Sequence, residues 1–280
     1  MKGFVLTYHS HHVVGPDYAR NDHAALAVDL ELLTRLGCRV VPLRALVEAF
    51  DGAQPGAIDG PTLVALTFDD GPVYDVEPFV HPEFGPQRGF LGVMRDFLER
   101  GGVATQPDLA ATSFVIASPE ARAVIEATYD ATYTYVGRGA MTDAWWNGAI
   151  DGGIIAIANH SWDHLHPALP RVAHSRQARA DFTQVLSDED AEAQIAAAGE
   201  FIARRTRYRS APFFAYPFGQ SNSFLADHYL PRNAARLGLE AAFTDEPKPV
   251  VRGANRWRLP RYICGHHWKS PDELAAVLAS

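Results

Sequence analysis

Val64-Ala65-Leu66-Thr67-Phe68-Asp69-Asp70-Gly71-Pro72 is the stretch from which the rest of the chain can be read. An apolar run of strand composition stops at two adjacent carboxylates and then Gly-Pro. A buried strand ending this way carries two charges to its C-terminal end, where the chain turns. Adjacent aspartates repel and gain nothing from packing, so they call for a cation, a shared proton or solvent. Asp, Gly and Pro are also turn formers, and by itself the stretch fits a solvated surface turn equally well.

Working outward, the same pattern recurs. Short apolar runs at 3–7, 38–41, 62–68, 110–117, 153–158, 212–216, 239–244 and 258–264 read as strands. Helical spacing follows most of them, at 22–36, 42–50, 88–100, 188–207, 223–237 and from Pro271 onward. Alternation of this kind predicts α/β architecture with a parallel sheet. Seven or eight such units point to a distorted, TIM-like (β/α) barrel. No internal repeat or low-complexity linker divides the chain, so 1–280 is expected to be a single domain, with a loop insertion near 118–150. The aromatics there (Tyr129, Tyr133, Tyr135, Trp145, Trp146) suit either a wall or lid that stacks on a ligand or core packing, the latter preferred for Trp145 and Trp146.

The bulk numbers narrow the function. With 280 residues, 47% apolar and 21% charged, the chain can bury a sizeable core. A formal net charge of -8 without a long basic run argues against nucleic acid or an anionic membrane as partner. Cys38 and Cys264 have neither CxxC nor zinc-ligand spacing and read as plain buried thiols. No stretch approaches a transmembrane span, and the apolar run at the N-terminus is too short for a signal peptide, so the expected location is cytoplasmic.

In barrels of this type chemistry sits where strands end, and the polar clusters here do end strands: His9, Asp69-Asp70, His160-Ser161-Trp162-Asp163-His164, and the residues after Tyr216. Two histidines four apart can face one side of a helical turn and grip one ion. In a chain with 12 His, a solvated loop with capping Ser and Asp is the plainer alternative. Joined to a carboxylate from another strand end, the pair suits a catalytic divalent site with positions open to water and substrate.

Thr67-Phe68-Asp69-Asp70-Gly71, His160-Ser161-Trp162-Asp163-His164 and Phe214-Ala215-Tyr216-Pro217-Phe218-Gly219 resemble, in order and spacing, the successive motifs of the polysaccharide deacetylases, the NodB-homology group or carbohydrate esterase family four. Ser113-Phe114-Val115-Ile116 resembles the strand after the first motif, so the resemblance runs from about residue 62 to 219. It implies a distorted (β/α) barrel and a hydrolase that removes an N-acyl group, typically N-acetyl, from an amino sugar or glycan. It implies Asp69 as general base, and Asp70, His160 and His164 as ligands of one divalent ion, commonly Zn, with Co, Ni, Mn or Fe possible alternatives. A backbone N–H near Phe218 would help hold the oxyanion, with Tyr216, Pro217 and Phe218 at the substrate.

Two departures from the family pattern stand out. Many members carry Arg at the second position of the third motif, paired with the catalytic Asp; this chain has Ala215, which leaves Arg258 or Arg261 to orient Asp69, Arg261 preferred. The general acid also has two candidates. Tyr8-His9 resembles the opening Tyr-His of the poly-N-acetylglucosamine deacetylase branch, and Gly265-His266-His267 lies near the C-terminus; His9 is preferred, with His266 at the substrate. The alternatives are the same site acting on a non-sugar C–N bond (a cyclic imide, ureide or small amide), a non-catalytic glycan-binding module, and a metal-storage or structural barrel. The base beside the metal ligands disfavours the last two.

Overall fold

The computed structural model describes residues 2–51, 60–128 and 135–280. Tyr129 and Tyr133 lie outside them. The strands are β1 (Gly3–Tyr8), β2 (Arg39–Val40), β3 (Leu63–Phe68), a short hairpin of β4 (Phe79–His81) and β5 (Gly85–Gln87), then β6 (Ala111–Val115), β7 (Ile155–Asn159), β8 (Phe213–Ala215), β9 (Ala241–Phe243) and β10 (Tyr262–Ile263). All but the hairpin form one parallel sheet in the order β10-β1-β3-β6-β7-β8-β9, with β2 beside β3. Leu259 pairs in parallel with Phe243 of β9, and Tyr262 and Ile263 pair with Leu6 and Thr7 of β1. The chain at 259–263 therefore spans the two ends of the sheet, and the architecture is a distorted (β/α) barrel.

The helices cover the outside: α1 (Asp22–Arg35), α2 (Leu43–Phe50), α3 (Phe90–Glu99), α4 (Pro119–Thr128), α5 (Trp146–Asp151), α6 (Asp188–Ala191), α7 (Ala197–Arg205), α8 (Leu230–Leu237) and α9 (Pro271–Ala279). α1 starts where the Asn21 side chain accepts from the N–H groups of His23 and Ala24. β1, β3 and β6 are buried along nearly all their length because helices cover one face and the barrel interior the other.

The structure differs from the sequence expectation in four places. The stretch 188–207 is not one regular α-helix: a π-turn at Glu192–Ala196 joins α6 to α7. A second π-turn, Phe224–Tyr229, precedes α8. Residues 71–87, which fall between the expected strand at 62–68 and the expected helix at 88–100, contain the β4–β5 hairpin, whose pairs Phe79–Gln87 and His81–Gly85 are too short to show a period. Residues 118–141 include α4, whose few buried positions (Ala121, Arg122, Ile125) give a weak apolar stripe.

Trp145 and Trp146 are core residues, 6% and 0% exposed. The Trp146 ring meets Phe201 edge-on at 6.4 Å and lies under the Arg122 guanidinium at 5.3 Å. Trp146→Ala is expected to cost about 3–5 kcal/mol of stability in denaturant titration, because the cavity cannot collapse against a sheet on one side; a loss below about 1 kcal/mol would show that the ring is not tightly packed. Both cysteines are buried, free thiols. Among the described residues no helix is long and apolar enough to cross a membrane.

Candidate metal centre and cavity

The parallel ladder runs one residue beyond the strands. The Asp69 N–H donates to the Tyr8 carbonyl (3.2 Å), and the His160 N–H to the Val115 carbonyl (3.0 Å). Both backbones are thereby held by the sheet, while the next residues turn sharply. Asp70 takes φ 73°, Ser161 73° and His164 62°, left-handed values that are uncommon outside glycine. Strain of this kind persists where surrounding contacts impose it, and it clusters at functional sites.

The His160–His164 segment is a turn, not the helical turn the spacing suggested. The Asn159 side chain accepts from Ser161 N–H (2.8 Å), the Ser161 hydroxyl from His164 N–H (3.0 Å), and Asp163 from the N–H groups of Leu165 (2.9 Å) and Ala173 (2.6 Å). The π-turn completes this support. A π-turn releases carbonyls from the helical ladder, and here the Gln194 carbonyl accepts from Trp162 N–H (2.8 Å) and the Ile195 carbonyl from Asn159 Nδ2 (3.0 Å).

Asp70 sits between three imidazoles. Its Oδ1 lies 3.4 Å from His164 Nε2 and 3.6 Å from His160 Nε2, and its Oδ2 lies 3.5 Å from His11 Nε2. The first two separations are long for hydrogen bonds, but two ligands held about 2.1 Å from one ion at a tetrahedral angle stand about 3.4 Å apart. One donor atom each from Asp70, His160 and His164 falls within a 4.8 Å span. The His160 Nδ1–H donates to the Ala215 carbonyl (2.9 Å), which leaves Nε2 as the lone-pair nitrogen facing Asp70. Burial pushes His164 down to about 3, so its ring is neutral near pH 7. Burial alone would raise Asp70, but His164, His11 and His160 outweigh it and hold the carboxyl well below its ordinary range. An anionic oxygen with two imidazole nitrogens is the donor set a divalent ion takes, so the residues fit such an ion.

Asp69 is a different group. Both its oxygens accept from Arg261, Nη1 to Oδ1 and Nη2 to Oδ2, each at 2.8 Å. Arg261 is 1% exposed and Asp69 4%. The Arg261 Nε–H donates to the Thr244 carbonyl (3.0 Å), and the guanidinium lies 5.4 Å from the Phe114 ring centre. Burial opposes ionisation of Asp69, yet Arg261 foremost, and His160, keep its carboxyl below the usual range. Ala215 leaves the neighbouring position empty of charge, and the guanidinium arrives from the chain just before β10 instead. Arg258 points elsewhere, to Asp227 at 3.2 Å.

These groups line a cavity of about 440 Å³ together with His9, His11, His166, Pro167, Phe218, Gly219, Asp245, Ile263 and His266. His9 and His266 both reach it, so the geometry brings both candidate acids to the same space. His267 does not line it; its Nδ1 accepts from the Ile263 N–H (2.8 Å). Tyr216 and Pro217 do not line it either, contrary to expectation. Tyr216 is 0% exposed, packed edge-on against Phe214 at 5.0 Å, with its hydroxyl donating to the Trp257 carbonyl (2.9 Å). The reason is the short turn Pro217–Gly219, in which Phe218 at φ 57° is turned out while its predecessors stay in the core. The Phe218 ring then packs on the His164 ring, centres 4.4 Å apart. Gly219 allows this: a Cβ there would stand 2.0 Å from the Asp245 carboxyl.

Tyr135 is half-buried and stacked parallel to Phe79 at 5.9 Å, away from the cavity lining. The sequence reading passed over His11, His166 and Asp245. The first two lie within two residues of named histidines, and that proximity was their signal; nothing local marks Asp245.

No family model matches the sequence, and no curated protein matches it. Solved structures do match over nearly the whole chain. A Streptococcus pyogenes deacetylase, PplD, solved with acetate, is 16% identical at TM-score 0.61, over 99% of this chain and 98% of its own. IcaB from Ammonifex degensii is 18% identical at TM-score 0.61, over 100% and 97%. A polysaccharide deacetylase from Bacillus cereus is 14% identical at TM-score 0.60, over 99% of this chain and 69% of its own. At such identities the likeness is one of architecture: the chain has the fold of the polysaccharide deacetylases, the family its motifs resemble.

Proposed function

We infer that this chain is a divalent-metal-dependent hydrolase that removes an N-acyl group, with N-acetyl the preferred case, from an amino sugar or glycan. One observation carries the reading: two adjacent carboxylates are given opposite surroundings. Asp70 faces imidazole nitrogens, as a ligand would, while Asp69 is kept ionised by Arg261 within the same cavity, as a base would be. The deacetylases of the same fold supply the reaction class.

An ion bound by Asp70, His160 and His164, Zn or another divalent metal, would supply the Lewis acidity that polarises the acyl carbonyl and acidifies a water. Asp69 takes the proton of the attacking water; Arg261 orients both its oxygens. A backbone N–H near Phe218, which lines the cavity, would help hold the oxyanion. A histidine then protonates the leaving amine, and His9 is the assignment we favour because it follows β1, the strand paired with β3, at whose end the base sits. The Phe218 ring, turned outward beside His164, gives a sugar an apolar face to rest on.

His9→Ala is expected to lower kcat by about 100-fold or more, and His266→Ala to act mainly on KM. Wild-type kcat in the His9 variant, with the loss appearing at His266, would reverse the assignment. The reading as a whole is tested by metal analysis of the purified protein and by acetate release from chito-oligomers and N-acetylglucosamine conjugates, with cyclic imides and ureides alongside. Acetate from none of the glycans with turnover of an imide would keep the site and overturn the substrate; binding of chito-oligomers without turnover of anything would indicate a glycan-binding module.

A further inference from the structure

The turn at 9–12 carries two of the cavity's histidines, yet no regular secondary structure holds it. Instead, two buried carboxylates grip it from either side. On one side, Asp22 Oδ2 accepts from the His9 N–H and its Oδ1 meets His12 Nδ1, each at 2.7 Å, and the Asp22 N–H donates to the His12 carbonyl at 3.2 Å. On the other, the Ser10 hydroxyl donates to Asp75 Oδ1 at 2.5 Å, while the Ser113 hydroxyl on β6 donates to Asp75 Oδ2 at 2.6 Å. Ser10, Ser113 and Asp75 are each 0% exposed, and Asp22 is 1%.

Asp75 is an expensive residue to place there. Its side chain meets hydroxyls, not a cation, and burial, with Asp70 and Asp69 nearby, pushes its carboxyl up to about 7. An apolar side chain of similar size would fill the space at lower cost. What the carboxyl adds is direction. It ties Ser10, between His9 and His11, to β6, and it stands five residues after Asp70 on the chain that leaves β3.

The geometry points to Asp75, with Asp22 opposite it, as positioning residues that clamp the 9–12 turn so that His9 and His11 face the cavity beside Asp70. Neither touches the reacting atoms. Their effect on turnover rests on the hydrolase reading above; the clamp itself does not.

The experiment compares full-length Ser10→Ala, Asp75→Ala and Asp75→Asn with wild type. Ser10→Ala removes one hydroxyl and leaves the carboxylate, so it folds even if Asp75→Ala does not. Asp75→Asn keeps both contacts, accepting from Ser10 and donating to the Ser113 hydroxyl. The readouts are amide hydrogen exchange at 9–13 and at 155–165, kcat and KM for acetate release, and Zn²⁺ affinity by calorimetry. Exchange at 9–13 is expected to quicken by about tenfold in Ser10→Ala. Turnover should fall by about 10- to 100-fold at little-changed KM, with Zn²⁺ affinity and exchange at 155–165 near wild type. Asp75→Asn should lie near wild type in all of these. Wild-type exchange at 9–13 in folded Ser10→Ala, or equal loosening at 155–165, overturns the proposal. Should wild type release no acetate while Ser10→Ala still loosens 9–13 alone, the clamp stands and the deacetylase reading falls.

Discussion

Asp69→Asn is expected to lower kcat by between about 100- and 10,000-fold while Zn²⁺ affinity stays within about threefold of wild type. The two halves of this result follow from the division of labour between the adjacent aspartates. The amide is the same size as the carboxylate and keeps one oxygen for Arg261, but it cannot take a proton from water. The donors proposed to hold the ion, on Asp70, His160 and His164, are untouched. One Arg261 N–H group then faces an amide NH₂ in a buried site, so a stability loss of about 1–3 kcal/mol should accompany the change. The measurements are acetate release under saturating substrate and calorimetric Zn²⁺ titration of the same preparation. Unchanged kcat would remove Asp69 from the mechanism; lost Zn²⁺ binding would make it a ligand instead.

Arg261→Met is expected to be the more damaging change to the fold. Breaking a buried ion pair from one side leaves the other charge without compensation, at about 3–5 kcal/mol. The pH dependence has a definite sign. Arg261 holds the Asp69 carboxyl below its ordinary value, so the stability it contributes is present above the unfolded carboxylate pKa of about 3.9 and is lost as pH falls towards the lower folded value. In Arg261→Met burial acts unopposed by the guanidinium, and the folded pKa of Asp69 rises. The deficit against wild type should therefore be largest near pH 7 and shrink in acid, as Asp69 takes up a proton. The same rise should move the acid limb of kcat upward, since the base is protonated at a higher pH. Urea titrations at pH 7 and 4.5 test the first claim and a pH–rate profile the second. A deficit independent of pH would mean that Arg261 acts through packing alone. The double variant Asp69→Leu/Arg261→Met should recover much of the lost stability, because no orphaned charge remains.

Much of the framework was legible in the chain because it is encoded within a few residues. The strands that build the barrel are short apolar runs, and α1 carries its own cap at Asn21. Asp69-Asp70-Gly71-Pro72 and His160–His164 declare themselves by composition, and the structure sets both at the ends of neighbouring parts of one sheet. Where local signals were absent the reading failed. The π-turn at 192–196 has no sequence period of its own, yet it supplies carbonyls to the His160–His164 turn. Tyr216 looked available beside Phe218, but the left-handed conformation of Phe218 sends neighbouring side chains to opposite sides.

The amino-acid sequence by itself determined the order of the eight strands of the main sheet and of most helices, and it determined which turns carry carboxylates and imidazoles, since apolar period and turn chemistry act over single turns of chain. Only the tertiary structure decided how Asp69 and Asp70 differ. Arg261 lies 192 residues from Asp69, and the parallel register of β10 on β1 and β1 on β3 is what brings the guanidinium to it. Ala215 contributes its backbone carbonyl to His160 where the family pattern led one to look for a side chain. Electrostatics inside a barrel depends on distances through space, and those distances exist only once the sheet has closed.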